Sequence, residues 1–325
     1  MVSKSVGCRF PGVIVQPNSN SSRRTDSARL AEMIANDFYE DRLDLSARNM
    51  GSDNAWAQMP EVECVEAIRC DPRISARDVR LFLTFISAMD RVRDAVRLWS
   101  AGFDLFEAHP EVFNPIEASA MPFSVLRARL FDSGVSQRHG PDTEAWRSIA
   151  GSLARRSGSV CRVIDSGVGD AKELLRDLRS RDRMGRSRYP MLRGPKLAPM
   201  WVRIMSSPGG ADIDRIDIIP VAVDVQVRRV TENLKVTDTQ GLKLKKAKPE
   251  IQSAWHNAVS AARIGGPSGI KGTCAALDPA LWFFGKYGCS HCENERQRVP
   301  IGLACNHCQL DFPIAAKGSR PGTSN

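Results

Sequence analysis

Apolar residues along this chain recur mainly at helical spacing. Phe82, Phe85, Ile86, Met89, Val96 and Trp99 stand three, four and seven positions apart, which predicts one amphipathic helix across roughly 78–99. Ala145, Trp146, Ile149 and Leu153 repeat the pattern on a second helix, and Leu174, Leu175 and Leu178 on a third. A further helix is expected around Ser27 to Tyr39. These aromatic and methionine stripes are assigned to core packing, and the expected fold class is all-α. One stretch disputes the helical pattern. In "IDIIPVAVDVQVRRV", Val221, Val223, Val225 and Val227 alternate as in a strand, whereas Val227, Val230 and Leu234 fall at helical spacing behind Asp224, a possible N-cap. Periodicity leaves the two readings level.

The segment "MLRGPKLAPMWVRIM" reads as a turn between two helices. Tyr189 to Gly194 looks like the exit of one and Lys196 to Met205 like the next, with Leu197, Met200, Trp201 and Ile204 on one face and Pro195 suited to a first helical position. A hairpin near 189–205 would present unpaired backbone N–H groups at a positive helix end, suited to gripping a phosphate. Outside these elements, residues 17–26 read as a flexible polar segment and 313–325 as a disordered tail. The organisation expected is an N-terminal extension (1–70) without a motif, a helical domain (71–285), a cysteine-rich loop (286–312) and the tail.

Charge turns the hairpin into a candidate interface. The 325 residues carry 46 lysines and arginines against 37 acids, a net charge of +9, and the pI is near 9.3. That balance favours a polyanionic partner. Between Arg176 and Arg203 nine basic residues face only Asp177 and Asp182, enough to neutralise several backbone phosphates. Arg188, Arg193, Gly194 and Arg203 are the positions expected at the nucleic acid. The first thirty residues hold no signal-type apolar run, and no run of about eighteen apolar residues occurs. The expectation is a cytoplasmic, nucleoid-associated monomer without a membrane partner.

Three islands in fixed order, "MLRGPKLAPMWVRIM", "IPVAVDVQVRRV" and "LWFFGKYGCSHC", resemble the helix-hairpin-helix DNA glycosylase superfamily, particularly its endonuclease III branch, over roughly residues 78–310. The resemblance implies a two-lobed helix-hairpin-helix fold that excises a damaged or modified base from double-stranded DNA, with AP lyase activity. It places Lys196 on the catalytic lysine and Asp224 on the catalytic aspartate, at a helix start. The chemistry needs both: a carboxylate stabilises the cationic sugar that forms at C1′, and an amine attacks that carbon to give a Schiff base. The amine must be neutral to attack, and burial among arginines is expected to depress its pKa. Leu192 stands where the family hairpin has its first glycine, the spacer from Lys196 to Asp224 is longer through an apparent loop, "SSPGGADIDRID", and Met89 replaces the family's glutamine.

The nine cysteines include four near the C-terminus, Cys289, Cys292, Cys305 and Cys308, spaced CxxC, twelve residues, CxxC. Two such knuckles make a tetrahedral thiolate set. Spacing favours zinc, while the position after "FGKYG" is where the resemblance implies a [4Fe-4S] cluster; the cluster is the expectation and zinc the alternative. His291 and His307 read as spacers. Either metal would be structural, pinning a basic loop that includes Lys286, Arg296 and Arg298. A reading from another class accounts for charge and cysteines equally: a non-catalytic nucleic-acid-binding protein with a zinc module.

Overall fold

The computed structural model describes residues 19–40 and 55–289. Cys292, Cys305, Cys308 and the expected tail lie outside them. The described chain is mostly helical: α1 (Ser19–Tyr39), α2 (Pro60–Arg69), α3 (Ala76–Met89), α4 (Ala95–Ala108), α5 (Pro115–Ala120), α6 (Phe123–Asp132), α7 (His139–Ala154), α8 (Ser159–Ser166), α9 (Ala171–Leu178), α10 (Leu197–Ser206), α11 (Val225–Asn233), α12 (Leu244–Val259) and α13 (Cys274–Phe283). One parallel pair, β1 (Val168–Asp170) with β2 (Asp212–Asp214), is its sheet among the described residues.

Side chains pack into two hydrophobic cores. The first runs from Cys64 on α2 to Ala222, and the second joins Leu30 to Phe38 on α1 with Val221 to Cys289. The chain therefore starts in the second core, crosses on α2, builds the first core through α10, and returns along 211–224. Residues 1–70 do not form a separate extension over their described part. Ala31, Ile34 and Phe38 are buried against α12 and α13, and Tyr39 donates its hydroxyl to the Ala276 carbonyl at 2.8 Å. The backbone helix also starts at Ser19, so residues 19–26 of the expected flexible segment are helical.

The stripe at 78–99 is two helices. Ser75 and Asp78 form a capping box at the start of α3, and Asp94 caps α4 by accepting from the Arg97 N–H, with the chain turning at 90–94 between them. Periodicity could not show the break because Val96 and Trp99 happen to keep the seven-residue phase across the turn. Three fully buried tryptophans anchor the two cores, each with a polar partner: Trp146 Nε1 donates to the Val112 carbonyl at 2.8 Å, Trp201 to Thr84 Oγ1 at 3.1 Å and Trp255 to Thr231 Oγ1 at 2.8 Å.

The hairpin is not a helix pair. Helix α9 ends at Leu178, and 179–196 run as turns with one antiparallel bridge, Arg181 to Ser187. The sequence contains the reason. Pro190 and Pro195 disfavour helical backbone at Tyr189 and Gly194, and the turn is made with Met191 at φ +70°. Only the second arm, α10, forms. It starts at Leu197, two residues past Pro195, and tolerates Pro199 because first-turn N–H groups lack intrahelical partners anyway.

A candidate amine and carboxylate site

Lys196 occupies the N-cap of α10. All ten residues of that helix are buried, so the helix is fixed in the first core and its start is held at the boundary between the two. Asp224 occupies the N-cap of α11 in the second core. Its Oδ1 accepts from the N–H groups of Gln226 and Val227 at 2.9 and 3.2 Å. The helical reading of this stretch thus holds from Val225 onward, while 219–224 belong to no helix or strand, with Val221 and Val223 buried. With Oδ1 used by the cap, Oδ2 faces Lys196 Nζ at 3.6 Å.

A second carboxylate meets the same amine. Lys196 Nζ donates to Asp90 Oδ2 at 3.1 Å; Asp90 ends α3 and its side chain is 8 % exposed against 26 % for Lys196. Sequence reading passed over Asp90. Its signal was an acid directly behind a helix C-terminus, where the helix dipole disfavours negative charge unless a cation is at hand. These neighbours reverse one expectation. Burial does push the Lys196 amine down, but Asp90 and Asp224 outweigh it and hold its pKa above the ordinary lysine value. The arginines expected to depress it are not its partners.

A second lysine was also missed. Lys248, on α12, is half-buried, and its pKa is lowered by burial and by the charge of Lys196, against the pull of Asp224. It closes a run with Lys243, Lys245 and Lys246, all exposed, at a helix start with no acid in its first turn. Cations are disfavoured there by the helix dipole, yet four lysines stand in these six positions.

The expected nucleic-acid positions divide. Arg193 is exposed and Gly194 half-buried beside Lys196. Arg188 is turned inward: its Nη1 lies 3.3 Å from Asp177 Oδ1 and its Nη2 donates to the Ser157 carbonyl at 3.0 Å. Arg203 cannot serve as a surface contact. It is 4 % exposed, with Nη1 2.6 Å from Glu61 Oε1 and Nε 3.7 Å from Asp278 Oδ2; seven residues past Lys196, it points along the helix into the core. Backbone gripping is reduced as well, since the Gly194 carbonyl takes the Ala198 N–H and Pro199 has none. The accessible charge of this stretch is on Arg176, Arg179, Arg181, Arg183, Arg186 and Arg193.

The 90–94 turn links both cores around the site. Arg93 donates to the carbonyls of Val135 and Gly134 at 2.6 and 2.8 Å, and Asp94 Oδ2 accepts from Lys286 Nζ at 3.1 Å. Between them Val92 stands 92 % exposed at φ +51°, a conformation a β-branched residue adopts only under constraint. Lys286 belongs to a π turn, Phe284–Cys289, that follows α13 and ends on a buried Cys289. Among the described residues no three potential ligands cluster for a metal; Cys289 is the one member of the expected thiolate set they include. A cavity of about 580 Å³ lined by Asp104, His109, Val125, Arg129 and Asp132 lies between α4 and α6, away from Lys196.

No protein-family model matches the chain, and neither a curated protein nor a solved structure is significantly similar to it. Among the described residues no helix is long and apolar enough to cross a membrane.

Proposed function

We propose that this protein is a DNA N-glycosylase with AP lyase activity, related to the helix-hairpin-helix type but without the first helix of the hairpin, acting on a nucleotide extruded from double-stranded DNA. The observation that carries the reading is the approach of Lys196 Nζ to within 3.6 Å of Asp224 Oδ2 from separate cores. The two groups have the roles this chemistry requires. Asp224 Oδ2 takes a proton from the Lys196 ammonium; the free amine then attacks C1′ as the bond from C1′ to the base nitrogen breaks and the pair leaves with the base. Opening of the sugar ring, with a proton passed to its oxygen, leaves a Schiff base on Lys196, from which loss of the C2′ proton expels the 3′ phosphate. Asp224 passes the proton it took to the departing base nitrogen, and the carboxylate so restored faces the cationic sugar at C1′ and stabilises it. The exposed arginines of 179–193 and the lysines of α12 would hold the phosphates on either side, with Val92 at the duplex as an apolar wedge. Cys289, with Cys292, Cys305 and Cys308, would hold a structural [4Fe-4S] cluster or zinc behind the π turn.

Borohydride trapping on duplexes carrying a panel of lesions tests this. The wild-type chain should form a covalent adduct that is lost in Lys196→Ala, and Asp224→Asn should slow base release with DNA binding kept. No adduct on any lesion, or one that survives Lys196→Ala unchanged, excludes the reading. One observation favours the non-catalytic alternative, a nucleic-acid-binding protein with a zinc module: two carboxylates hold Lys196 in its charged, non-nucleophilic form. Salt-dependent DNA binding without any adduct is its outcome.

A further inference from the structure

Asp278 lies on α13, a helix of the second core that is buried along nearly its whole length. A carboxylate there, 5 % exposed, needs partners from elsewhere in the chain. It has two. Oδ1 accepts the Ala222 N–H at 2.5 Å, and Oδ2 lies 3.7 Å from Arg203 Nε. Arg203 in turn lies against Glu61 of α2 at 2.6 Å.

Each partner leads to the site. Arg203 is on the helix that Lys196 caps. Ala222 is two residues before Asp224, in the segment 219–224, which belongs to no helix or sheet. Two side chains of the second core tether that segment: Gln252 Nε2, donating to the Val221 carbonyl at 3.0 Å, and Asp278. Without its backbone acceptor the segment could slide along its own axis and carry Asp224 with it.

We propose that Asp278 is a positioning residue that sets Asp224 against Lys196, through its hydrogen bond to the Ala222 N–H on one side and its contact with Arg203 on the other. Burial pushes the Asp278 carboxyl up to about 6, against the pull of Arg203 and of the Ala222 N–H; such a cost for an ionised group in a core is what a positional role explains and packing does not. The inference rests on the reading of Asp224 as the working carboxylate, and its test is chosen to separate the two.

The readout is the titration of the Lys196 amine in the full chain, followed by NMR after reductive methylation with labelled formaldehyde, in the absence of DNA. Asp278→Ala leaves the Ala222 N–H without its acceptor. The Lys196 pKa should then fall most of the way to the value measured in Asp224→Asn, whereas Asp278→Asn, which keeps an oxygen acceptor and loses only the direct pull of the Asp278 charge on the amine, should fall much less. A Lys196 titration unchanged in Asp278→Ala overturns the proposal, as does an equal fall in the Ala and Asn variants. Amide exchange in the wild-type chain gives a check that needs no disruptive variant: the Ala222 N–H should be strongly protected, and fast exchange there overturns the proposal too. With an active wild type, Asp278→Ala should also slow adduct formation about 10²-fold, the order expected for a misplacement near 1 Å, with DNA affinity kept. A wild type without any adduct removes the glycosylase reading and leaves the titration result standing.

Discussion

At the scale of residues the site is a charge balance on one amine. Lys196 is pulled down by burial and up by Asp90 and Asp224, and the carboxylates prevail. For stability the sign follows from a folded pKa above the unfolded value of about 10.4. The ion pairs contribute fully below that value, and the contribution is lost as the pH rises through the folded pKa. For reactivity the same shift works against attack, because only the free amine is a nucleophile. Asp90→Asn removes the nearer of the two carboxylates and should move the alkaline limb of the trapping rate to lower pH, with about tenfold more free amine for each pKa step lost. A pH profile superimposable on wild type would show that Asp90 does not govern the amine. Asp90 escaped sequence reading because its partner is 106 positions away, while the side-chain pairs that sequence reveals are those three or four residues apart on one helix. Lys196 and Asp224 were legible only through the order of three motifs.

At the scale of elements, two close approaches set the positions of the helices that end at the site. Arg203 is shared by Glu61 and Asp278, so it joins α2, α10 and α13 inside the protein. Arg203→Met leaves two buried carboxylates without their cation and should destabilise the fold by about 3–5 kcal/mol, read from urea denaturation. A loss under about 1 kcal/mol would mean the triad does not hold the helices together. Gly285, in the π turn, makes the second approach. A Cβ there would lie 2.4 Å from the Gln226 carbonyl oxygen, which is the first turn of α11, next to Asp224. The helices themselves were largely readable, since α7, α9 and α1 follow apolar spacing. The split of α3 from α4 and the loss of the hairpin's first arm were not read, although Asp94, Pro190 and Pro195 carried the signals.

At the scale of the whole molecule, the proposed function needs a basic surface that reaches both cores. Arg179, Arg181, Arg183 and Arg193 lie exposed on one side of Lys196 in sequence, and Lys243, Lys245 and Lys246 stand exposed on the second core. If DNA spans both, Arg183→Ala with Arg193→Ala should reduce the slope of log affinity against log salt by about 2, and Lys245→Ala with Lys246→Ala by a similar amount, at about −0.9 for each phosphate neutralised on duplex. A slope that responds to only one pair would place the nucleic acid on one core alone.

Composition and periodicity by themselves determined a mostly helical chain and its positive balance of charge, because these depend on residue content and on neighbours within a few residues. Tertiary structure alone decided that α1 belongs with the C-terminal helices, that Arg203 is an internal ion-pair partner and that Asp90 shares the amine of Lys196. Each of those is a contact between residues far apart in the chain, or the burial that such contacts produce. A sequence specifies such contacts only through the packing of two complete cores, and no local pattern records which side chains that packing brings together.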